Sequence, residues 1–457
     1  MTAPTIVWFR QDLRVNDQPA LAAALAEGSL VPVYLLDDDT PGDRRIGAAQ
    51  RWWLDGSLRA LDAELQARGS RLVLARGRVD RVLPRLAAEV GATRVHAVAH
   101  HEPWWRQAEA AVAKQLDLQL HQGVLLAEPE RVRTGSGRPF QVFAPFWRAL
   151  SATMPPPEPQ PAPDRIPSPD LWPDSETLDD WALTPTKPNW AAAFGDDWTP
   201  GEAGARQRLD AFLSRVAAYE HDRNQPGQEG TARLSPHLHF GEVSPATVWH
   251  ALAGRGAEEK FLKELAWRDF GAGLIRAYPD YDRVNGRNGL NGLVHRTGGA
   301  AERDFRAWTR GQTGYPIVDA GMRQLWETGW MQNRARMITA SFLVKHLLID
   351  WQRGFDWFWD TLVDADYGNN AVNWQWIAGT GVDASPWHRI MAPLVQSRKF
   401  EAAAYIRRWV PELAHLGDEE IHDPHEAGIR VPDYPDPIIG HRQARERALA
   451  AERAARD

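Results

Sequence analysis

A proline-rich stretch divides the chain into two parts with different patterns. Prolines occupy positions 155, 156, 157 and 159, and more follow at 161, 163, 167, 169 and 173. Because proline lacks a backbone N–H and fixes φ, such a stretch cannot form the interior of a helix or a central strand. We predict that residues 131–200 form a long connection between domains, wrapped over the surface and partly extended.

Residues 1–130 alternate short β-branched runs with patterns typical of helices. The strand candidates are residues 5–9, 31–36, 71–74 and 94–99, and the helix candidates are residues 18–27, 47–68, 79–89 and 105–116. This alternation predicts an α/β, Rossmann-like N-terminal domain with a parallel sheet covered on both faces. The sequence after the first strand, Arg10-Gln11-Asp12-Leu13-Arg14, has no glycine fingerprint, so we expect no dinucleotide site of the ordinary Rossmann type.

Residues 201–457 show helical patterns separated by short glycine or proline breaks, which predicts an all-α C-terminal domain. The end of the chain, from Gly440, is rich in arginine, alanine and glutamate. This composition favours a solvated helix over a polybasic interaction segment.

Composition excludes several classes of chemistry. The chain has no cysteine, which excludes disulfides, thiolate zinc sites, iron–sulfur clusters and thiol nucleophiles, and we predict no metal site. A net charge of −7 does not indicate nucleic-acid binding, although a local basic groove is compatible with an acidic total. We see no signal peptide and no apolar run of membrane-spanning length, and expect a soluble, cytoplasmic monomer with access to the nucleoid and no membrane partner.

The stretch from Arg336 to Trp376 places charged and amide side chains among apolar residues at helical spacing. Such side chains need a partner or a polar ligand. They are Arg336, Asp364, Asp366 and Asn370. Trp374 and Trp376 are two residues apart, so on a helix they face opposite sides. This arrangement suits a buried aromatic cofactor.

Three other motifs each have a plain and a functional interpretation. Residues 230–236 could bind phosphate at a helix start, or simply start a helix. Glu264, Trp267 and Arg268 share a helix face. They could be a surface Glu–Arg ion pair beside a core tryptophan. Alternatively, Trp267 could stack on a base or flavin edge while Arg268 meets phosphate. In residues 329–337, Asn333 lies on one face with Arg336 or Met337, and Arg334 points elsewhere, where it could meet a nucleic-acid phosphate.

Taken together, these motifs resemble the photolyase/cryptochrome family. The matching segments, in family order and spacing, are Gly230–Pro236, Glu264–Phe270, Gly311 with Thr313–Ala320, Asn333–Met337 and Asn369–Trp376, together with Trp8–Arg14 near the N-terminus. The resemblance covers essentially the whole chain. It implies an N-terminal α/β antenna domain over residues 1–130, the connection over residues 131–200, and a helical domain over residues 201–457 that binds FAD and a DNA lesion.

The resemblance also implies the cofactor residues. The FAD phosphates and ribityl chain would be held by Tyr219, Thr231, Ala232, Arg233, Leu234 and Ser235, with Arg268 also meeting phosphate. The isoalloxazine would be surrounded by Asn333, Arg336, Asp364, Asp366 and Asn370. Arg336 paired with Asp364 would favour an anionic reduced flavin, and Asp366 would accept a hydrogen bond from a flavin N–H.

Among members of the family, the chain looks most like a class I cyclobutane pyrimidine dimer photolyase. That match implies light-driven repair of UV-damaged DNA, in which excited reduced FAD gives one electron to a flipped dimer and takes it back. The lesion residues would be Glu264, Trp267, Asn333, Met337 and Trp376, and the DNA phosphate contacts Arg223, Arg334 and Lys399. The runner-up is a cryptochrome-type blue-light photoreceptor without repair activity.

The chain departs from the family pattern at the photoreduction relay. Trp374 and Trp351 match the inner two relay tryptophans, but the expected third position, near residue 298, holds Thr297-Gly298-Gly299. The last step of the electron relay would then use another aromatic residue, such as Trp308, Trp357 or Trp359, or photoreduction of the flavin would be slow.

A second departure concerns the antenna chromophore. Folate-binding members have Asn-Glu where this chain has Trp104-Trp105, and the local Glu102-Pro103-x-x-Arg106 looks more like deazaflavin-type or flavin-type members. Alternatively, Trp52 and Trp53 fill the pocket and leave no antenna.

Overall fold

The computed structural model describes residues 3–255 and 258–456, which divide into two compact units. The first comprises the chain up to Val216, Ala232–Pro279 and Val363–Gly368, and the second comprises Ala217–Thr231, Asp280–Leu362 and the chain from Asn369. These limits differ from domain boundaries at residues 130 and 200, because the proline-rich connection and the segments 201–216, 232–279 and 363–368 all cluster with the first unit. Backbone hydrogen bonds tie the proline-rich connection there: Leu30 N donates to Pro167 O at 2.9 Å, and Glu176 N donates to Leu74 O at 2.8 Å.

The strands are β1 Thr5–Phe9, β2 Leu30–Leu36, β3 Val73–Arg76, β4 Arg94–Val98 and β5 Asp117–His121. The α-helices are α1 Pro19–Leu25, α2 Ala48–Ala67, α3 Val79–Val90, α4 Pro103–Val112, α5 Phe143–Ser151, α6 Phe194–Asp197, α7 Glu202–Leu213, α8 Tyr219–Asp222, α9 Ser235–His239, α10 Pro245–Leu252, α11 Glu259–Ala277, α12 Gly298–Thr309, α13 Pro316–Thr328, α14 Asn333–Ser341, α15 Trp351–Thr361, α16 Tyr367–Ala378, α17 Pro393–Lys399, α18 Ala403–Trp409 and α19 His441–Arg456. None of the helices in the described ranges has the length and apolarity needed to cross a membrane.

The first unit contains a parallel sheet of strand order β3-β2-β1-β4-β5. The predicted α/β class and four of these strands are confirmed. Strand β5 was missed, because it contains no β-branched residue and lies at an exposed edge of the sheet. The inner strands β1 and β2 are buried throughout, as expected for a sheet covered on both faces.

The strand order reverses between β1 and β4, which defines a topological switch point. In open α/β sheets, ligands bind in the crevice outside the carboxyl ends of the strands at this point. Here the segments that follow β1 and β4 begin at Arg10 and Ala99. The first unit therefore has one edge of the sheet at which polar side chains from two distant segments can meet.

The second unit is helical, as predicted. The regular helix expected after Arg336 is interrupted, since α14 ends at Ser341 and Phe342–His346 forms a π-turn. The prediction of a solvated C-terminal helix is wrong for one face of α19. Ala444 and Ala448 are fully buried, and Trp387 Nε1 donates to Ala448 O at 3.0 Å.

Candidate functional site

A small polar cavity lies in the first unit at the switch point of the sheet. Its volume is about 30 Å³, enough for one or two water molecules. The segments after β1, β4 and β5, helices α9 and α11 and the 363–368 segment supply its lining, which is Gln11, His100, His101, Glu102, Val124, Leu125, Leu238, His239, Arg268, Ala272, Ile275, Asp366 and Gly368. Two predicted cofactor residues, Arg268 and Asp366, are thus brought to one place.

Burial disfavours the charged form of three ionisable groups in this cavity, His101, His239 and Glu102. It lowers the pKa of His101 to about 3 and that of His239 to about 4, and it raises the pKa of Glu102. Both ring nitrogens of His101 and Nε2 of His100 are buried and have no hydrogen-bond partner among the described residues. Buried polar atoms of this kind are usually satisfied by ordered water, and the cavity has room for it.

Arg268 places its guanidinium in the lining of the cavity and is held there by backbone carbonyl oxygens rather than by a carboxylate. Its guanidinium donates to Leu238 O at 3.0 Å and to Val124 O at 3.4 Å. It takes part in no salt bridge among the described residues. A guanidinium held by carbonyl oxygens keeps its charge for an anionic ligand, and its fork geometry matches phosphate. The side chain therefore fits the FAD phosphate contact expected of it.

The residues from Thr231 to Ser235, which were expected to hold the FAD phosphates and ribityl chain, are divided between the two units. Ala232, Leu234 and Ser235 lie in the first unit, with Ala232 and Leu234 buried and Ser235 beginning α9, while Thr231 lies in the second unit. Arg233, in the first unit, has a left-handed φ of 52°, which costs energy for a non-glycine residue.

The side chain of Arg233 has partners within its own unit. Its Nη1 lies 3.2 Å from Asp197 Oδ1, and its guanidinium lies 4.4 Å from the ring centre of Trp198. A phosphate that bound Arg233 would compete with that carboxylate.

Trp267 on α11 is held against the ring of Phe143. The two rings are parallel within 5° and their centroids are 3.8 Å apart. Phe270 meets the Trp267 ring edge-on at 5.4 Å. Glu264 precedes Trp267 by one helical turn and, like Trp267, is half-buried. Sequence reasoning missed Phe143, although it stands in a local run of aromatic residues between 140 and 147.

Asp364 and Asp366 lie in the first unit, on the segment that precedes α16. Asp366 N donates to Asp364 O at 2.7 Å, and Asp366 also lines the cavity. Both carboxylates raise the pKa of His239, although burial outweighs them. The two aspartates are thus grouped with Arg268 and His239.

The second unit holds the other predicted flavin residues. Asn333 begins α14 and is exposed, and Gln332 caps this helix by accepting hydrogen bonds from Arg334 N and Ala335 N. Arg336 Nε donates to Met331 O at 2.7 Å. Asn370 is nearly buried on α16, and its Nδ2 donates to Phe355 O at 3.2 Å.

Three further predicted residues lie in the same unit. Tyr219 lies on α8 with the Arg223 guanidinium 5.2 Å from its ring centre, Met337 Sδ lies 3.5 Å from Arg334 Nη1, and Trp376 is half-buried on α16.

Two of the predicted DNA-binding cations of the second unit, Arg334 and Lys399, lie near the ring of Phe400. The guanidinium of Arg334 lies 4.4 Å and Nζ of Lys399 5.4 Å from its centre. Burial and the charges of Arg223 and Arg389 lower the pKa of Arg334. We call these four residues, Arg223, Arg334, Arg389 and Lys399, the basic patch. Arg389 was missed from sequence because it stands alone in a loop.

The tryptophans that are candidates for the electron relay lie in the second unit, each packed against a different set of aromatic rings. Trp374 is buried and lies edge-on to Phe358, at 5.0 Å, and to Trp308, at 6.5 Å. A Cβ on Gly354 would come within 2.1 Å of the Trp374 ring, so this contact requires glycine there. Trp351 is also buried and meets Phe355 at 6.4 Å. Trp357 stacks on the exposed Trp326 at 6.2 Å, and Trp359 stacks on Phe355 at 6.1 Å.

The candidates for filling an antenna pocket pack into an aromatic cluster of the first unit. Trp53 is fully buried, meets Trp198 at 5.4 Å, and donates from Nε1 to Glu242 Oε1 at 2.9 Å. Trp52 meets Phe194 edge-on at 5.2 Å. Trp105 lies edge-on to Trp8, at 6.2 Å.

Comparison with known proteins gives matches over almost the whole chain. Residues 5–164 match the DNA photolyase family, and residues 261–454 match the FAD binding domain of DNA photolyase. The chain is 46% identical to a deoxyribodipyrimidine photo-lyase of Agrobacterium fabrum, covering 98% of each protein. It is 35% identical to Cryptochrome-1 of Arabidopsis thaliana, covering 97% of this chain and 69% of that relative.

Solved structures give the same result. A bacterial class III photolyase from Agrobacterium tumefaciens is 47% identical, with a TM-score of 0.95 over 100% of this chain and 98% of that one. An archaeal photolyase from Sulfolobus tokodaii, solved with two FAD molecules, is 29% identical with a TM-score of 0.84 over 98% of this chain and 99% of that one.

Proposed function

Because the chain belongs to the photolyase/cryptochrome family, we propose that it is a photolyase that repairs cyclobutane pyrimidine dimers in DNA with light. The observation that carries the proposal is the placement of Trp267 beside Arg268 on α11. One helix thus offers a half-buried aromatic ring for a base and, for a phosphate, a guanidinium that is held by backbone carbonyl oxygens and forms no salt bridge among the described residues. Stacking and charge are the two contacts that an unpaired nucleotide and a bound nucleotide cofactor require.

FAD is the cofactor that the matching domain implies. Side chains of the first unit are suited to hold part of the FAD molecule. Arg268 would hold phosphate, and Asp366 would accept a hydrogen bond from a flavin N–H. The second unit would contribute Tyr219 and Thr231 to the phosphates and Asn333, Arg336 and Asn370 to the ring. When bound and reduced, FAD absorbs light and supplies one electron to the lesion.

The residues of the chain would then do the positioning. Trp267 would stack on one pyrimidine of the dimer and Trp376 on the other, because a dimer extruded from the duplex loses its own stacking partners. Glu264 would hydrogen-bond a pyrimidine carbonyl or N–H and stabilise the extra charge, and Asn333 and Met337 would complete the lesion site. Arg336 would supply fixed positive charge that favours the anionic reduced cofactor.

The basic patch supports DNA as the partner. Clustered cations repel one another, and a phosphate backbone relieves that repulsion while releasing counterions. Arg223, Arg334 and Lys399 were expected to contact phosphate, and Arg389 adds a fourth charge. The net charge of −7 is compatible with this role because the patch is local.

We propose that the protein is a class III rather than a class I photolyase. The sequence motifs alone favoured class I, but the relative that is 47% identical with a TM-score of 0.95 is a class III photolyase.

A second chromophore is compatible with the fold, since the archaeal relative was solved with two FAD molecules. The switch-point cavity, at about 30 Å³, holds one or two waters and no tricyclic ring. A deazaflavin or flavin antenna at this cavity would therefore require its side chains to move.

Loss of dimers from an irradiated oligonucleotide tests the proposal. The protein is purified with FAD, fully reduced in the dark, mixed with an oligonucleotide carrying one dimer, and illuminated; the expected result is dimer loss only in the illuminated sample. An absorption spectrum with chromophore extraction identifies FAD and any antenna in the same preparation. A colourless protein that does not take up FAD would contradict the proposal.

The alternative function is that of a cryptochrome-type photoreceptor, which the 35% identity to Cryptochrome-1 supports. Absence of dimer turnover with fully reduced FAD, combined with light-dependent spectral change, would favour it.

A further inference from the structure

The aromatic cluster between α5 and α11 covers one face of Trp267. Phe143 is the first residue of α5, and its ring lies parallel to the indole at 3.8 Å, with an interplanar angle of 5°. At this separation the two rings are in face-to-face contact. The chain itself therefore already occupies one of the two indole faces.

Phe270 fixes the two stacked rings from the side. It is buried and meets Trp267 edge-on at 5.4 Å and Phe143 edge-on at 5.8 Å. Trp267 and Phe270 are three residues apart on α11, so they share a helix face. Within the part of the chain that the structure describes, the ring contacts of Trp267 are these two. Among the described residues, no aromatic ring stacks on the other broad face of the indole, and the side chain is only partly buried.

The stack also explains how a half-buried tryptophan keeps one orientation. A side chain that is free to change rotamer must be immobilised when a ligand binds, which weakens binding. Phe143 provides that immobilisation before the ligand arrives. Phe143 is itself anchored at the first position of α5 and packs against the buried Phe146 of the same helix, with ring centroids 6.3 Å apart.

We propose that Phe143 is a positioning residue for lesion recognition. It holds the Trp267 ring in one plane, so that a single indole face receives a single pyrimidine of the extruded dimer. The inference rests on the repair function proposed above and deepens it. It also sets a limit on substrate form, because a base cannot be taken on the face that Phe143 covers.

Equilibrium binding by a set of variants tests the proposal. The FAD-loaded protein is titrated in the dark with an oligonucleotide carrying one pyrimidine dimer and with the same oligonucleotide undamaged. The variants are Phe143→Leu, Phe143→Tyr, Trp267→Ala and the double variant. Phe146→Leu is the matched control, because Phe146 also lies on α5 and contacts Phe270 at 5.4 Å. Phe143→Met, of similar bulk but without a flat face, replaces the leucine variant if that variant melts early.

We expect Phe143→Leu to weaken dimer binding by about two- to ten-fold, the range of an aromatic pair contact, with undamaged DNA bound as by the parent protein. Phe143→Tyr and Phe146→Leu should bind the dimer like the parent. The double variant should bind no more weakly than Trp267→Ala alone, because Phe143 acts through that ring.

Three results would overturn the inference. Parent-like dimer binding by Phe143→Leu, or a full additional decrease in the Trp267→Ala background, would reduce Phe143 to a packing residue and leave the repair function standing. Parent-like binding by Trp267→Ala would remove Trp267 from the lesion site, and the role of Phe143 with it. Absence of any light-driven dimer loss in the parent protein would instead contradict the proposed function.

Discussion

Trp308 lies edge-on to Trp374 in the second unit, with ring centroids 6.5 Å apart and an interplanar angle of 69°. Trp308 is fully buried, and its Nε1 donates to Thr339 O at 3.0 Å, so the ring is fixed. This contact supplies Trp374 with a neighbouring tryptophan even though the third relay position of the family is occupied by Thr297-Gly298-Gly299.

From this contact we predict that Trp308→Phe slows light-driven reduction of bound FAD several-fold. Phenylalanine keeps the packing but is much harder to oxidise than tryptophan. The measurement is the rate of absorbance loss of oxidised FAD under blue light with an added reductant. Trp409→Phe, at a buried tryptophan on α18 outside the relay candidates, is the control for general effects of losing a tryptophan. Repair by chemically reduced protein should be unchanged, and equal photoreduction in parent and Trp308→Phe would exclude this route.

Trp267→Ala should weaken binding of a dimer-containing oligonucleotide by about 1–3 kcal/mol, which is the value of stacking one base on an aromatic side chain. The measurement is equilibrium binding in the dark, compared with undamaged DNA of the same sequence. Unchanged affinity for the dimer would remove Trp267 from the lesion site.

Neutralising the basic patch should weaken binding to all DNA sequences alike and flatten its salt dependence. On duplex DNA, each phosphate that the protein neutralises contributes about 0.9 to the slope of log K against log salt. Arg334→Gln and Lys399→Gln are therefore each expected to lower the slope by roughly one. Lys114→Gln, at an exposed lysine of the first unit outside the patch, is the control. A slope that stays the same in both patch variants would show that DNA binds elsewhere.

Asn370→Asp should change the absorption spectrum of the one-electron-reduced protein. A carboxylate in place of the amide adds negative charge where the flavin ring is proposed to lie, and it removes the hydrogen bond donated to Phe355 O at 3.2 Å. Removal of that bond should also cost about 1 kcal/mol of stability, which thermal unfolding measures separately. A spectrum identical to that of the parent would place Asn370 away from the ring.

The contribution of the buried histidines to stability should fall as the pH drops from 6.5 toward 4. Burial lowers the pKa of His101 to about 3 and of His239 to about 4, from the ordinary value of 6.5, so both carry less positive charge in the folded protein than in the unfolded chain over this range. The unfolded chain takes up more protons there than the folded chain, so acid favours unfolding. Each histidine contributes at most about 1.4 kcal/mol per pH unit.

Urea unfolding at pH 7 and pH 5 measures this effect, and His101→Gln should lose less stability between the two pH values than the parent protein. His425→Gln, at a largely exposed histidine, is the control and should show the parental loss. An equal loss in all three proteins would contradict the role of His101.

The sequence was informative where local pattern decides structure. Strands β1, β2 and β4 were placed to within one residue, because β-branched runs between helical patterns have few alternatives, and the family motifs predicted the FAD-binding domain that the comparisons confirm. The path of the proline-rich connection was not predictable. Proline excludes regular structure, but it does not say against which surface an extended chain will lie.

What the sequence by itself determined is the class of each half of the chain and the identity of the residues available for chemistry. Tertiary structure alone decided that Phe143 covers one face of Trp267 and that His101, Arg268 and Asp366 line one cavity at the switch point of the sheet. The physical reason is that sequence spacing fixes neighbours only within a helical turn or across a strand, whereas these contacts depend on how separate helices pack against a sheet.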